Sequence, residues 1–269
     1  MKTRIITAVV AFLIFIPVLV FGSLSLVGSV TLFSLAMAVL SAVGAFEAVK
    51  CTGEEQNLFF TPLYVVAFAL PLLTSTHLDT YTPVFIILLF YLLFMGVLNN
   101  KKISADKVLV SFALAFYVTA SFGALTVLFS KGSVFFPLVF VGAWVTDTFA
   151  YFSGYFFGKH KLIPAVSPKK TVEGAIGGTL FAMIGFAVVG IIYDYSIKNI
   201  IILAIVGLFA SVVSQFGDLS ASLIKRHYGI KDYGKLFPGH GGVLDRFDSI
   251  LSVSVLLYLI TELPVGGLF

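Results

Sequence analysis

The sequence predicts an all-α polytopic integral membrane protein with about nine transmembrane helices and a polar cavity open to the cytosol. Of its 269 residues, 59% are hydrophobic and only 11% are charged, whereas about a quarter of the residues of a soluble domain are charged. The apolar residues also form long runs, and runs of about 18 residues or more cross the hydrocarbon layer as helices. A soluble enzyme, a disordered chain and a collagen-like chain are therefore excluded.

Nine apolar runs are candidate spans, and the count is fixed to within one because the divisions near Gly28 and at 130–133 are the weakest. Residues 1–136 form an amino-terminal region of about five helices. Residues 137–269 carry the remaining helices and two polar loops, 158–173 and 224–246, in which proline and glycine favour turns. The candidate spans are 5–27, 29–49, 58–75, 82–98, 107–129, 134–157, 174–193, 199–223 and 247–263.

The distribution of the basic residues predicts how the chain is oriented in the membrane. With the amino terminus in the cytosol, all of the 17 Lys and Arg residues except Lys131 and Lys198 fall on the cytosolic side, as the positive-inside rule requires. The net charge of +4 is thus mostly an orientation signal that also attracts anionic lipid head groups. It gives no reason to expect nucleic-acid binding. The single Cys51 cannot form an intrachain disulfide.

Two spans carry polar stripes at helical spacing, and each stripe contains an acid that needs a partner inside the membrane. A simple ion pair that holds helices together is the structural alternative, above all for Asp147. The stripe of the sixth span is Asp147, Tyr151, Gly154 and Gly158, and that of the eighth is Ser211, Ser214, Gln215, Asp218, Ser222 and Lys225.

A further acidic pair, Asp245 and Asp248, begins the ninth span at a spacing that places both on one side of a helix. Because a glycine-rich hairpin joins this pair to Asp218, the carboxylates can converge. A set of carboxylates that includes no His or Cys favours a hard cation such as Mg²⁺. This ion keeps coordination positions open for phosphate oxygens. The sequence therefore predicts a magnesium site.

Both polar loops have the composition of phosphate-binding segments, although a basic loop that merely obeys the positive-inside rule is the alternative. Loop 224–246 combines Lys and Arg with glycines that let backbone N–H groups approach an anion. Loop 158–173 precedes a helix that Ser167 or Thr171 can cap, with Lys169 and Lys170 beside that helix terminus.

Three groups of residues together resemble the signature of the phosphatidate cytidylyltransferases, and they cover roughly 144–248. One departure is Ala221, where relatives often carry Glu. The matching segments are Asp147–Tyr151 with Gly154 and Phe157–Lys159, Ser167–Gly174, and Ser222–Arg226 followed by Lys231, Asp232 and Pro238–Asp248.

The resemblance implies an enzyme of phospholipid biosynthesis that makes CDP-diacylglycerol and pyrophosphate from CTP and phosphatidic acid. It implies a bacterial-type plasma (inner) membrane with the active site facing the cytosol, and it allows a homodimer. Mg²⁺ is the expected cofactor, with K⁺ as a candidate second cation. The predicted metal ligands are Asp218, Asp245, Asp248 and Asp147.

The phosphate-binding roles follow from the same resemblance. Lys225, Arg226 and Arg246 are expected to hold phosphate beside the catalytic Asp218 and Asp245. The remaining predicted substrate contacts are Ser167, Lys169, Lys170, Thr171, Ser222, Lys231, His240, Gly241 and Gly242.

Two other functions stay open at this point. A CTP-dependent lipid kinase carries similar motifs and differs in releasing CDP. An ion-coupled secondary transporter would explain Asp147 and Asp218 near the midplane. It would not explain why basic, glycine-rich loops flank these acids on one side only.

Overall fold

The computed structural model of the chain describes residues 2–73 and 78–263, with backbone alone for 2–6, 8, 9, 11 and 12. The end of the predicted third span, at 74 and 75, lies outside the described residues. Within the described part, each of the nine predicted runs contains helix. The helices are α1 Lys2–Val20, α2 Leu32–Cys51, α3 Thr61–Leu73, α4 Tyr81–Leu98, α5 Ala105–Ser130, α6 Phe135–Phe140, α7 Thr146–Phe157, α8 Val172–Ile192, α9 Ile197–His227 and α10 Leu244–Glu262.

Six segments of the described chain are long and apolar enough to cross a membrane. In the described part of the third predicted span, the 3₁₀ turn Leu58–Phe60 and α3 form a shorter apolar helix, Leu58–Leu73. The all-α membrane class is confirmed, and the count of nine crossings stays a prediction. The six segments are Leu32–Cys51, Tyr81–Leu98, Ala105–Ser130, Phe135–Phe157, Val172–Ile192 and Ile197–His227.

Two small antiparallel hairpins interrupt the helical architecture. Strands β1 (Ser25–Val27) and β2 (Val30–Thr31) pair between α1 and α2. Strands β3 (Lys161–Ile163) and β4 (Ser167–Thr171) pair within the polar loop 158–173, which the sequence predicted as turns alone. The second hairpin gives Lys161, Lys169 and Lys170 fixed positions on its strands.

The chain folds as two compact units. The first unit comprises the residues up to Lys131 together with Tyr228–Arg246. In it α2 packs against α3 and α5, and α4 packs against α5. Phe60, Leu63 and Leu92 are almost completely buried in this apolar core. Large apolar side chains from these helices thus pack together into one core.

The second unit comprises Gly132–His227 and the residues from Phe247 onward, and α8 lies between α7 and α9 in it. Glycines bring the backbones of α7 and α8 into contact. A Cβ atom at Gly174 would lie 2.6 Å from the carbonyl oxygen of Ala150, and one at Gly178 would lie 2.7 Å from that of Thr146. Small residues permit such close helix contacts in membranes.

Candidate active site

In the second unit, Asp218 of α9 forms an ion pair with Lys170 of β4. Each side chain is 28% exposed, so the pair is partly accessible to solvent. The Ser222 hydroxyl, one helical turn later, donates to Asp218 Oδ1 over 3.4 Å. The acid of the eighth predicted span therefore has the partner that its position in an apolar helix requires.

Two further carboxylates lie within electrostatic range of Asp218. These are Asp147 of α7 and Asp248 of α10. Ser249 contacts both, because its hydroxyl donates to Asp147 Oδ2 over 3.3 Å and its backbone N–H donates to Asp248 Oδ1 over 2.8 Å. We call Asp147, Asp218 and Asp248 the acidic cluster. Three helices supply its members, although the sequence separates them by up to a hundred residues.

A π-helical turn precedes the first member of the acidic cluster. This turn, Val141–Val145, lies between α6 and α7 and ends two residues before Asp147. Single π-helical turns of this kind occur frequently at functional sites.

The donor chemistry of the acidic cluster fits a hard cation. Carboxylate oxygens are ligands that Mg²⁺ prefers. Thr146 of α7 and Ser214 of α9 lie on the helices that carry Asp147 and Asp218, and their buried hydroxyls have no hydrogen-bond partner among the described residues. Within residues 2–73 and 78–263, however, no group of three or more His, Cys, Asp and Glu side chains is arranged to hold a metal ion. A cation would therefore need non-carboxylate ligands from the protein, substrate or water.

The rest of the polar stripe on α9 binds this helix to α8. Gln215 Nε2 donates to Ala175 O over 3.3 Å and to Thr179 Oγ1 and Ser211 Oγ over 3.2 Å each. The stripe thus faces protein, as expected for polar groups on an apolar helix. Ser211 and Gln215 thus join α9, which carries Asp218, to α8.

The β3–β4 hairpin leads directly into α8, and Thr171 is the capping residue. Its Oγ1 accepts a hydrogen bond from Gly174 N over 3.1 Å, while Ser167, the other candidate cap, begins β4. Lys169 is exposed on this strand and Lys170 is directed to Asp218. The hairpin therefore places one basic side chain in solvent and the next at the acidic cluster.

Two predicted phosphate ligands lie near the carboxyl end of α9, which ends at His227. Lys225 and Arg226 lie in its last turn, where positive charge is favourable beside the helix dipole. Lys225 lies within electrostatic range of Asp248, and the Arg226 side chain is exposed.

In the first unit, the glycine-rich loop 231–243 and the start of α10 line a cavity of about 760 Å³. Lys231, Lys235 and Arg246 contribute three positive charges against the single negative charge of Asp232. The cavity is therefore cationic. Its lining residues are Lys231, Asp232, Gly234, Lys235, Phe237, Pro238, Gly239, His240, Gly241 and Arg246.

Hydrogen bonds give this loop a defined shape. Asp245 Oδ2 accepts from Tyr233 N over 2.7 Å and from Gly242 N over 2.9 Å. Arg246 Nε donates to His240 O over 2.6 Å. At Gly241 the backbone has φ +90°, a conformation that other residues rarely adopt. Asp245 thus has a loop-holding contact that the sequence did not indicate.

Sequence reasoning missed Glu47, which lies in α2 and bonds the backbone at the start of α10. A signal for it was nevertheless present. Glu47 is the single charged residue of the apolar run 29–49, and an acid in a span is a functional candidate by default.

Comparison with known proteins identifies the family. The model of the cytidylyltransferase family matches residues 2–263. Proteins named phosphatidate cytidylyltransferase are similar along 97% of this chain and 98% of their own length: that of Staphylococcus haemolyticus is 35% identical, that of Staphylococcus saprophyticus 36% and that of Staphylococcus aureus 34%. The resemblance indicated by the motifs is confirmed, and it extends over nearly the whole sequence. The chain therefore belongs to the cytidylyltransferase family.

Proposed function

We propose that this chain is a membrane-embedded nucleotidyltransferase that transfers the cytidylyl group of CTP to phosphatidic acid. The products are CDP-diacylglycerol and pyrophosphate. The observation that carries the proposal is the similarity along 97% of the chain to proteins named phosphatidate cytidylyltransferase. The acidic cluster and the cationic cavity supply the charges that this chemistry needs.

The reaction joins two polyanions. An oxygen of the phosphatidate phosphate attacks the α-phosphorus of CTP, a new P–O bond forms, and the bond to the β-phosphate breaks with release of pyrophosphate. The lipid phosphate is itself the nucleophile, so no covalent enzyme intermediate is needed. The protein therefore contributes positioning and electrostatic stabilisation, which dominate phosphoryl-transfer catalysis.

The acidic cluster is the proposed metal centre. Asp218, Asp147 and Asp248 would hold Mg²⁺ together with phosphate oxygens and water, because the carboxylates of the described residues are not arranged as a metal site by themselves. K⁺ stays the candidate second cation. When bound, Mg²⁺ supplies neutralisation of phosphate charge and orients the reacting oxygens. The prediction that Asp245 also binds the metal stays a prediction, and its hydrogen bonds to Tyr233 and Gly242 argue for a role in the loop.

The basic side chains are the proposed phosphate ligands. In the second unit, we assign this role to Lys225 and Arg226 at the end of α9, and to the start of α8. In the first unit, we assign it to the cationic cavity. The proposed contacts are Ser167, Lys169, Lys170, Thr171, Ser222, Lys225 and Arg226 in the second unit, and Lys231, His240, Gly241, Gly242 and Arg246 in the first.

The proposed location follows from the substrates. Phosphatidic acid resides in the bilayer and CTP in the cytosol, so we place the active site at the cytosolic face of a bacterial-type inner membrane. The six membrane-competent helices support an integral protein. The homodimer remains a prediction.

A labelling experiment tests the proposed reaction. Purified protein in detergent is incubated with phosphatidic acid, Mg²⁺ and CTP labelled at either the α- or the γ-phosphate. We expect label from the α-phosphate alone in the lipid, together with release of pyrophosphate. Transfer of the γ-label with release of CDP would establish a lipid kinase instead. Absence of any CTP-dependent lipid product from folded protein would overturn both assignments.

A further inference from the structure

We propose that Glu47 is a positioning residue that fixes the nucleotide-phosphate loop, which consists of residues 231–243 of the first unit. The inference rests on the proposed function, because it assigns the loop its role in binding CTP. It gives α2, in the amino-terminal half that carries none of the recognisable motifs, a direct part in shaping the substrate site.

Both carboxylate oxygens of Glu47 are engaged at one end of this loop. Oε1 accepts a hydrogen bond from Val243 N and Oε2 accepts one from Leu244 N, each over 3.0 Å. The first N–H groups of a helix have no partner within the helix, and the helix dipole favours a negative charge there. Glu47 therefore caps α10 from another helix.

Glu47 is also enclosed by the loop itself. The residue is only 3% exposed. A Cβ atom at Gly234 would lie 2.0 Å from Oε1, and one at Gly242 would lie 2.1 Å from the same oxygen. The backbone thus approaches the carboxylate from both arms of the loop, that is, from the segment around Gly234 and from the segment around Gly242. Any side chain larger than hydrogen at either position would displace Glu47.

A second carboxylate holds the same two arms together. Asp245 Oδ2 bonds Tyr233 N, beside Gly234, and also bonds Gly242 N. Glu47 from α2 and Asp245 from α10 therefore fix neighbouring peptide groups of one loop. Most of the residues that line the cationic cavity lie between these two anchoring points, and Lys231, Asp232 and Arg246 flank them.

The expected consequence is pre-organisation. A flexible glycine-rich loop loses conformational entropy when it closes on phosphate, and the apparent affinity falls as the fraction of molecules with a competent loop falls. A residue that fixes the loop before CTP arrives should lower the KM for CTP and have little effect on kcat. A residue needed only for the global fold would instead change stability and overall activity together.

The test compares Glu47→Gln with Glu54→Gln in the full-length protein. Glu54 is an acid of the same unit whose carboxylate pairs with Lys107 over 2.8 Å, so Glu54→Gln removes an equal charge and leaves the hydrogen bonds of Glu47 in place. In Glu47→Gln an amide N–H₂ faces a backbone N–H, and one charge-assisted hydrogen bond is lost. We expect a roughly tenfold higher KM for CTP with nearly unchanged kcat, and no such change in Glu54→Gln.

Hydrogen exchange gives a readout that is independent of catalysis. Peptides covering 231–246 should exchange faster in Glu47→Gln, while those of α3 and α4 should keep wild-type rates. A wild-type KM together with wild-type exchange in the loop would overturn the inference, as would a parallel loss of kcat and of protection throughout the unit. Should Glu47→Gln fail to fold, Glu47→Asp retains the charge on a shorter side chain, and the same two readouts decide.

Different results would disprove the proposed function and the positioning role of Glu47. If the wild-type protein makes no cytidine-bearing lipid, the proposed function is wrong whatever the variants do. If the wild type is active and Glu47→Gln matches it in KM and loop exchange, the positioning role alone is wrong.

Discussion

Lys170 of β4 and Asp218 of α9 form an ion pair that joins the basic hairpin to the acidic cluster. Each member is suited to a different ligand, since the carboxylate can bind a cation and the ammonium can bind phosphate. With both side chains partly exposed, the pair contributes little to stability. We therefore expect the pair to act mainly through the charge that it gives the site.

Removal of the lysine should change metal and nucleotide affinity in opposite directions. In Lys170→Met the potential at Asp218 becomes more negative, because the neighbouring positive charge is gone. The Mg²⁺ concentration for half-maximal activity should fall, and the KM for CTP should rise. Both constants are obtained from initial rates in matched titrations of CTP and Mg²⁺.

Lys161→Met is the control for this prediction. Lys161 is an exposed residue of β3 in the same hairpin, so its removal changes the net charge equally at a different position. Equal shifts in the two variants would mean that only the overall charge of the hairpin matters.

Asp218→Asn should inactivate a folded enzyme. Asp218 interacts with Lys170, with the Ser222 hydroxyl and with both other members of the acidic cluster. Loss of its charge removes a proposed metal ligand and leaves Lys170 without its carboxylate. We expect kcat/KM to decrease by about a hundredfold or more, measured as pyrophosphate release.

Asp194→Asn provides the comparison for Asp218→Asn. Asp194 lies between α8 and α9 with φ 55°, a conformation that Asn also tolerates. Asp194→Asn should retain wild-type turnover. Activity of Asp218→Asn close to that of Asp194→Asn would exclude Asp218 from the metal centre.

Local sequence patterns predicted the helices and part of the site. Long apolar runs identify helices because a backbone in lipid must satisfy its own hydrogen bonds. A cap of α8 by Ser167 or Thr171 also follows from residue type and position, and the structure shows that Thr171 is the cap. These features depend on neighbours in the chain, which a single sequence displays directly.

Features that depend on distant residues were not predictable in the same way. Glu47 lies almost two hundred positions before Val243 and Leu244, and no spacing rule connects them. The engagement of Asp245 by Tyr233 and Gly242 depends on the path of the loop. Residue type thus indicates the chemistry of each acid, whereas tertiary structure decides its partner.

Gly241→Ala should impair CTP binding more than its backbone strain alone explains. Gly241 has φ +90°, and a Cβ atom there would lie 2.7 Å from Asp245 Oδ2. The substitution therefore strains the backbone and pushes the carboxylate that holds the loop. We expect the thermal stabilisation produced by CTP and Mg²⁺ to be largely lost.

Gly229→Ala separates these two effects. Gly229 has φ +67°, and a Cβ atom there would have nothing within 4 Å, so this variant carries only the strain of about 1–2 kcal/mol. It should retain the stabilisation by CTP. Equal loss in both variants would mean that the contact with Asp245 is unimportant.

Gly178→Ala should destabilise the second unit and lower activity. The added methyl would lie 2.7 Å from the carbonyl oxygen of Thr146, and a backbone atom cannot move away without separating α7 from α8. Overpacking of this kind costs roughly 1–3 kcal/mol. Because Asp147 follows Thr146 directly, the shift also displaces a member of the acidic cluster. Thermal unfolding in detergent and initial rates measure the two effects.

Gly96→Ala is the matched substitution with the opposite expectation. The methyl at this position of α4 would have its nearest neighbour, Val108 Cγ2, at 3.6 Å, which is an ordinary contact. Alanine is favoured over glycine in a helix by up to about 1 kcal/mol. Its unfolding temperature should therefore equal or exceed that of the wild type. If Gly178→Ala were as stable and active as Gly96→Ala, the close approach of α7 and α8 could not be what holds Asp147 in place.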